Sequence, residues 1–221
     1  MGRNIPGIVI LGIAFFLSLL VSISTPYIRV FDIVRTTAGK PGAGSDLYAV
    51  AVRLGIWGAC AQEAGSGDWS CLITGYAYEI MLGNPLIGKS EVIGKSWTRG
   101  LILHPIAAFV TLIAWVLCFS DKLKMALFAS LLSFLAAFLT LLAFAIDIAL
   151  YVHVKNVIDK IDVGAKTSPG PAFWMSLIVL VLVTVSGCLV CFGWRRTKSK
   201  ESTYVVGEKK PWYQLPLWKK H

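Results

Sequence analysis

Two cysteines in a glycine-rich stretch are the clearest candidates for chemistry in this chain. Cys60 and Cys71 flank a polar, Gly-rich segment at 62–68, and alternating apolar residues precede and follow it. Two β-like runs joined by such a segment are typical of a hairpin. In an oxidising compartment the two cysteines would form a disulfide at the neck of this hairpin, and in a reducing compartment they would be free thiols.

An acid inside a long apolar run is the second candidate. Asp147 lies in the run 125–153, where burying a charge costs about 2.5–3.5 kcal/mol on insertion scales, so such a residue normally faces a partner. His104 lies near the outer end of the preceding apolar run, at a similar depth. We predict a contact between Asp147 and His104, with Arg99 or His153 as alternative partners. A polar clasp between two helices is favoured over a proton-sensing role.

Motifs for catalysis are lacking in the sequence. There is no paired-histidine metal site, no phosphate-binding loop and no nucleophile elbow, and the three histidines are scattered. GSGDWS, at the tip of the predicted hairpin, is best interpreted as a Gly-rich turn. We therefore expect no catalytic residues, no metal and no cofactor, and we expect that the protein is not an enzyme.

The composition indicates an integral membrane protein. Apolar residues make up 56% of the chain, charged residues only 15%, and the mean hydropathy is +0.70. The net charge of +9 is concentrated after the last apolar run, where Lys and Arg far outnumber Glu. A basic segment directly after a span favours contact with anionic lipid of the inner leaflet, so we expect no nucleic-acid partner.

Four apolar runs are long enough to cross a bilayer. The predicted segments are the N-terminus 1–4, spans at 5–25, 101–119, 125–153 and 172–194, a first loop at 26–100, a turn at 120–124, a second loop at 154–171 and a basic tail at 195–221. We interpret the first run as a retained helix rather than a cleaved signal peptide. The predicted fold class is a membrane all-α four-helix bundle with a small antiparallel β-sheet or hairpin in the first extracellular loop.

The distribution of Lys and Arg in short flanking segments sets the orientation. Both ends and the turn 120–124 are basic, so we predict that both termini are cytoplasmic and that the loop 26–100 is outside the cell. This exposes Cys60 and Cys71 to oxidising conditions and favours the disulfide. Closing a loop of about a dozen residues would stabilise the hairpin by roughly 3 kcal/mol.

Within the first loop, residues 27–34, 47–56 and 72–80 have strand-like patterns. Residues 86–99 resemble a short amphipathic helix at the membrane surface, with Trp97 as an interfacial anchor. The later spans contain small residues at spacings that let helices approach closely in lipid. These small residues are Ala126, Ser130, Ser133, Ala137, Ser176 and Gly187.

Three further cysteines lie near the predicted cytoplasmic ends of spans. Cys118, Cys188 and Cys191 are either small apolar packing residues or sites of reversible S-acylation, which is common at juxtamembrane cysteines beside basic residues.

The tail ends in PWYQLPLWKKH, whose two prolines disfavour a continuous helix. Its large apolar residues favour docking to a cytoplasmic partner or to the inner leaflet over a simple disordered tail. The predicted docking residues are Trp212, Tyr213, Leu215 and Trp218.

The order of four short motifs resembles the claudin-like tetraspan proteins, and in particular the fungal PalI family and its eisosomal relatives. LGIWGAC, with Trp57, Gly58 and Cys60, followed by Cys71 and GYAYEI, is similar to the first-loop signature of that family. HPIAA (104–108), FAIDIAL (144–150) and PAFWMSL (171–177) are similar to its later span motifs. The short basic tail differs from the long low-complexity extension that PalI proteins usually carry.

The resemblance implies a non-enzymatic accessory protein of the plasma membrane. In PalI-like proteins the implied role is to help a multispan ambient-pH sensor, and in eisosomal relatives to organise membrane domains and cell-wall homeostasis. The expected partners are a multispan membrane protein or further copies of this chain, together with membrane lipids. A small subunit of a transporter, channel or membrane-bound enzyme complex remains the alternative.

Overall fold

The computed structural model describes residues 5–37, 49–63, 66–73, 75–84, 89–120, 123–161 and 164–207. Four helical segments in this part are long and apolar enough to cross a membrane. They comprise α1 (Ile5–Ser22), the continuous stretch of α2 (Lys95–Thr98), a 3-10 turn (Arg99–Ile102) and α3 (Leu103–Leu117), then α4 (Leu123–Ile161) and α5 (Pro171–Gly207). Their apolar residues give mean hydropathies of 2.1–2.5 over the most apolar windows.

The four spans pack as a closed bundle. Helix α1 packs against α3 and α5, and α4 also packs against α3 and α5, so that α1 and α4 occupy opposite corners. Small residues allow the helices to approach closely, as at Gly12, where an added Cβ would lie 2.9 Å from the indole nitrogen of Trp115. Of the predicted small packing residues, Ser130, Ser133, Ser176 and Gly187 are buried and Ala137 is half-buried, whereas the side chain of Ala126 lies outside the described residues.

Helix α4 presents one continuous buried seam. Its members are spaced alternately three and four residues apart, the spacing that keeps one face of a helix against its neighbours. They are Ala129, Ser133, Ala136, Thr140, Ala143, Asp147, Leu150, Val154, Val157 and Ile161. The seam therefore changes from small residues to large aliphatic residues at Asp147.

The first loop forms most of an antiparallel sheet of five strands in the order β4-β3-β2-β1-β7. The strands are β1 (Val34–Thr37), β2 (Ala49–Leu54), β3 (Gly58–Glu63), β4 (Trp69–Ile73) and β7 (Lys166–Pro169). Because β7 lies between α4 and α5 in the chain and pairs with β1, it ties the sheet to the bundle. A separate hairpin consists of β5 (Ile80–Asn84) and β6 (Lys89–Ile93).

The sheet packs on the bundle at the end where α1 finishes, which we call the sheet end. One face of the sheet carries the row Val34, Leu54 and Ala59, which are all buried. The core there also contains Tyr78, Ile33, Ile93 and Leu101, together with Val21 of α1 and, from α4, Leu150, Val154 and Ile158.

Several local predictions were wrong. Residues 27–33 form turns and irregular backbone, and the strand begins at Val34, because Asp32 and Ile33 bond to the start of α5 and to β2 instead. Within the predicted run 47–56, only Ala49–Leu54 is described as a strand; this strand, β2, pairs with both β1 and β3, and β3 rather than β2 is the hairpin partner of β4. The second run ends at Ile73, since Tyr76 and Ala77 form a turn.

The predicted amphipathic helix at 86–99 is also wrong over much of its length. Lys89–Ile93 is strand β6, and the helix begins only at Lys95. The predicted second loop at 154–171 is helical as far as Ile161. Helix α4 continues because Val154, Val157 and Ile161 extend its buried seam against the sheet end.

Candidate functional site

The disulfide lies across the hairpin of β3 and β4. Cys60 and Cys71 are direct partners in the antiparallel register, with their Cα atoms 4.0 Å apart and their sulfurs bonded. Such directly opposed positions bring side chains into contact. The structure confirms the predicted disulfide. It joins the edge strand β4 to β3 below the Gly-rich tip, where Ser66, Gly67 and Asp68 are exposed.

Trp57 connects the sheet to the end of α1. Its indole Nε1 donates a hydrogen bond of 2.7 Å to the carbonyl of Ser22, the last residue of α1. The carbonyls of a last helical turn have no partner within the helix, so this bond satisfies one of them. The backbone of Trp57 donates to the Thr25 carbonyl, and the Ile56 amide donates to the hydroxyl of Ser24. The signature residue Trp57 thus caps a membrane-spanning helix.

Gly58, the neighbour of Trp57, sits where a side chain would not fit. A Cβ at this position would run into the carbonyl of Leu72 and lie 3.5 Å from the ring of Pro26. Gly55 is equally constrained, because a Cβ there would collide with Thr25. Glycine is required at both positions because the backbones approach closely, and this explains why a glycine follows Trp57 in the Trp-Gly signature.

Tyr78 fills the centre of the core at the sheet end. It is buried, and its hydroxyl donates to the Gly55 carbonyl. Its own carbonyl accepts a 2.6 Å bond from the hydroxyl of Thr98, at the start of the second span. Burial raises the pKa of Tyr78, so that it remains a neutral donor. Tyr78 therefore links the turn before Trp57 to the second span, a role that the sequence alone did not indicate.

An ion pair with a buried carboxylate, at the same junction, was also missed by sequence reasoning. Asp32 is fully buried, and both of its oxygens accept bonds from Arg35, at 3.0 Å from Nε and 2.8 Å from Nη2. The hydrogen bond to Asp32 raises the pKa of Arg35. The backbone carbonyl of Asp32 accepts a hydrogen bond from the amide of Ala172, in the first turn of α5. The usable signal was an acid three residues before an arginine within an otherwise apolar run.

Asp147 and His104 meet inside the bundle. Asp147 Oδ1 lies 3.0 Å from His104 Nε2, and both side chains are buried. The second carboxylate oxygen, Oδ2, has no hydrogen-bond partner among the described residues. The alternative partner His153 instead stacks on Trp97, with the ring centroids 4.0 Å apart, and Arg99 is exposed. The arrangement joins α3 to α4 across their interface.

The remaining predicted site residues are dispersed. Cys118 is half-buried just after α3, Cys188 is exposed on α5, and nothing is described of the side chain of Cys191. The predicted docking residues of the tail lie outside the described part of the chain; they are Trp212, Tyr213, Leu215 and Trp218. Within the described residues, no group of three or more His, Cys, Asp or Glu side chains could hold a metal ion.

Comparison with known proteins agrees with this architecture. The model of the SUR7/PalI family matches residues 3–186, which include every span motif and the whole sheet. No curated protein matches the chain. The four spans and the small antiparallel sheet are those of a claudin-like multi-pass membrane protein. Since the match covers most of its length, the chain belongs to the SUR7/PalI family.

Proposed function

We propose that this protein is a non-enzymatic accessory or scaffold protein of the plasma membrane, which assembles with a multispan membrane protein or organises a membrane domain. Both termini face the cytoplasm, and the disulfide-bonded sheet lies outside the cell. Membership of the SUR7/PalI family, a non-enzymatic membrane family of the PalI and eisosome type, supports this proposal.

The observation that carries the proposal is how the polar groups within the spans are used. The hydroxyls of Thr111, Ser133, Thr140 and Ser176 each donate to the carbonyl four residues earlier in their own helix. Asp147 faces His104 across the interface of α3 and α4. The hydroxyls are thus satisfied within their own helices and the Asp147–His104 pair joins two helices, whereas a transport path needs polar groups that line one accessible face.

The outer surface of the spans offers a large area for assembly. Phe109, Phe128, Phe134 and Phe138 are more than half exposed, and so is Leu131 on α4. Lipid tails or the spans of a partner can cover such a surface, because both are apolar. A closed bundle with a rigid sheet and an apolar exterior suits a scaffold.

Crosslinking mass spectrometry on the intact protein, purified in a gentle detergent, tests the proposal. The matched variant lacks residues 209–221. We expect crosslinks to one stoichiometric multispan partner, or to further copies with co-purified lipid, and we expect truncation to weaken this retention while the bundle stays folded. If the partner is a transporter, channel or enzyme complex, the protein is its small subunit. A monomer without partner, self-association or bound lipid would contradict the proposal.

The orientation has its own test in the hairpin tip. Asp68→Asn creates an N-glycosylation acceptor, Asn-Trp-Ser, at an exposed position with little change in shape. We expect a glycosylated product in cells, because an outside sheet passes through the secretory lumen. The double variant Asp68→Asn with Ser70→Ala lacks the acceptor and is the control. If Asp68→Asn is not glycosylated while an acceptor placed after Gly207 is, the orientation is reversed.

A further inference from the structure

Two arginines face each other on the sheet. The register of β1 and β2 places Arg35 directly opposite Arg53, and like charges in such pairs destabilise a sheet. Arg29 contributes a third positive charge nearby. Burial, followed by the charges of Arg35 and Arg29, lowers the pKa of Arg53. We refer to Arg29, Arg35 and Arg53 as the arginine cluster.

Among the described residues, Asp32 is the one carboxylate that bonds to the arginine cluster, and it bonds to Arg35 alone. Asp32 is engaged by the Nε and Nη2 edge of Arg35, and among the described residues Arg53 forms no ion pair. Arg53 donates from Nη1 to the backbone carbonyl of Arg29 at 3.0 Å, and its guanidinium lies 4.5 Å from the ring centroid of Trp69. Its Nε is buried and has no hydrogen-bond partner among the described residues. Within that part of the chain, the cluster therefore holds about two uncompensated positive charges.

We infer from the ends of α1 and α4 that the cluster lies at the level of the lipid headgroups. Helix α1 ends at Ser22, and its 18 residues span about 27 Å, close to the thickness of the hydrocarbon layer. Tyr27 and Val30 flank Arg29 and are 68% and 60% exposed. Helix α4 contributes to the same core as Val21 of α1. On its exposed surface, apolar Val152 is followed one turn later by charged Lys155. Tyrosine is enriched at this interface in membrane proteins.

We propose that Arg29, Arg35 and Arg53 form a binding site for a phosphate oxyanion, carried by the headgroup of a lipid in the leaflet at the sheet end. Arg35 has one edge occupied by Asp32, and Arg53 has Nη1 occupied, so the free N–H groups come from separate guanidiniums. Separate donors suit the several oxygens of a phosphate better than the two coplanar oxygens of a carboxylate, which match one intact fork. Exposed Tyr27 and Val30 contact the glycerol and upper acyl region of the same lipid.

Native mass spectrometry of the purified full-length chain in detergent tests this site with defined probes. The probes are short-chain phosphatidic acid, diacylglycerol with the same acyl chains, and inorganic phosphate. We expect phosphatidic acid to bind and diacylglycerol not to bind. Arg29→Gln and Arg53→Gln should each weaken binding of phosphatidic acid about tenfold, as expected for one charge-assisted hydrogen bond. Lys89→Gln removes an equal charge from the separate β5–β6 hairpin and should leave binding unchanged.

Arg29→Gln keeps the fold testable, because its side chain is exposed and Arg53 bonds only to its backbone. Displacement of the lipid by inorganic phosphate at equal concentration would support the oxyanion site and identify a soluble ligand, and no displacement would support the lipid headgroup. Equal binding of diacylglycerol would overturn the proposal. So would an equal loss of binding in Lys89→Gln, since that would reflect net charge rather than a site.

Discussion

The two halves of helix α4 contribute to cores of different kinds. From Ala129 to Ala143 the seam consists of Ala, Ser and Thr, and it packs against the other spans. From Leu150 to Ile161 it consists of Leu, Val and Ile, and it packs against the sheet end. The spacing along the helix is the same in both halves, so the difference lies in the size of the side chains and in what surrounds each core.

The surroundings explain the difference. Lipid tails are as apolar as leucine, so burying a large side chain between spans gains little, and close approach of small residues provides the attraction. At the sheet end the alternative is water, and each large aliphatic side chain that is buried there gains roughly 1.5–3 kcal/mol. The exteriors are reversed accordingly: Phe128, Phe134 and Phe138 are exposed on the first half, and Lys155 and Asp159 on the second.

Removing the disulfide should have the largest effect, and only at the sheet end. We expect Cys60→Ala with Cys71→Ala to lower the free energy of unfolding of the sheet by roughly 3 kcal/mol, because the open chain gains entropy. Limited proteolysis measures opening of the sheet, and circular dichroism should show the helices unchanged. The control Cys188→Ala, on the exposed side of α5, should alter neither measurement. If the helices also unfold, the sheet and the helical bundle form one cooperative unit.

Enlarging a small seam residue should damage the bundle nearly as much. Ala136 is fully buried against α1 and α5 neighbours, so we expect Ala136→Leu to cost about 2 kcal/mol by overpacking. Two residues away, Phe138 is 56% exposed, and Phe138→Leu should be close to neutral. Unfolding in mixed micelles with increasing SDS measures both variants. Equal effects of the two would contradict a core that depends on close approach.

Tyr78→Phe should have a moderate effect at the sheet end. The variant leaves the buried Gly55 carbonyl without its donor, at a cost of about 1–2 kcal/mol. Tyr76, two residues earlier, is 58% exposed, so Tyr76→Phe is a matched control that should change stability little. Thermal unfolding monitored by tryptophan fluorescence compares them, since Trp57 reports on the same junction. A neutral Tyr78→Phe would mean that water replaces the lost donor.

Loss of the Asp147–His104 contact should have the smallest effect of the four. In a bilayer the unfolded state also finds polar partners, so we expect Asp147→Asn to cost about 0.5–1.5 kcal/mol. A double-mutant cycle with His104→Ala, in the same SDS titration, isolates the coupling. The control Ser133→Ala removes a hydroxyl that bonds only within its own helix. Unchanged stability and assembly in Asp147→Asn would show that the pair does not clasp α3 to α4.

The sequence was most informative where a property depends on a short stretch of chain. The length of an apolar run can be compared with the thickness of a bilayer without knowledge of the rest of the chain, and the four long runs correspond to four helical spans in the structure. The pairing of Cys60 with Cys71 was predicted from their proximity and from the predicted orientation of the spans, and the structure contains this disulfide. The depth of Asp147 was readable in the same way, but the choice of His104 over His153 depended on how α3 and α4 rotate about each other.

Only the tertiary structure decided how the sheet joins the helical bundle. Strand β1 pairs with β2 and also with distant β7, and no local pattern specifies such partners. The bond from Trp57 to Ser22, between residues 35 positions apart, arises because the sheet sits on the end of α1. By itself the sequence determined the spans and the disulfide, since hydrocarbon thickness and chain proximity act locally. The packing of the sheet on the bundle depends on contacts between residues far apart in the chain, and folding alone brings them together.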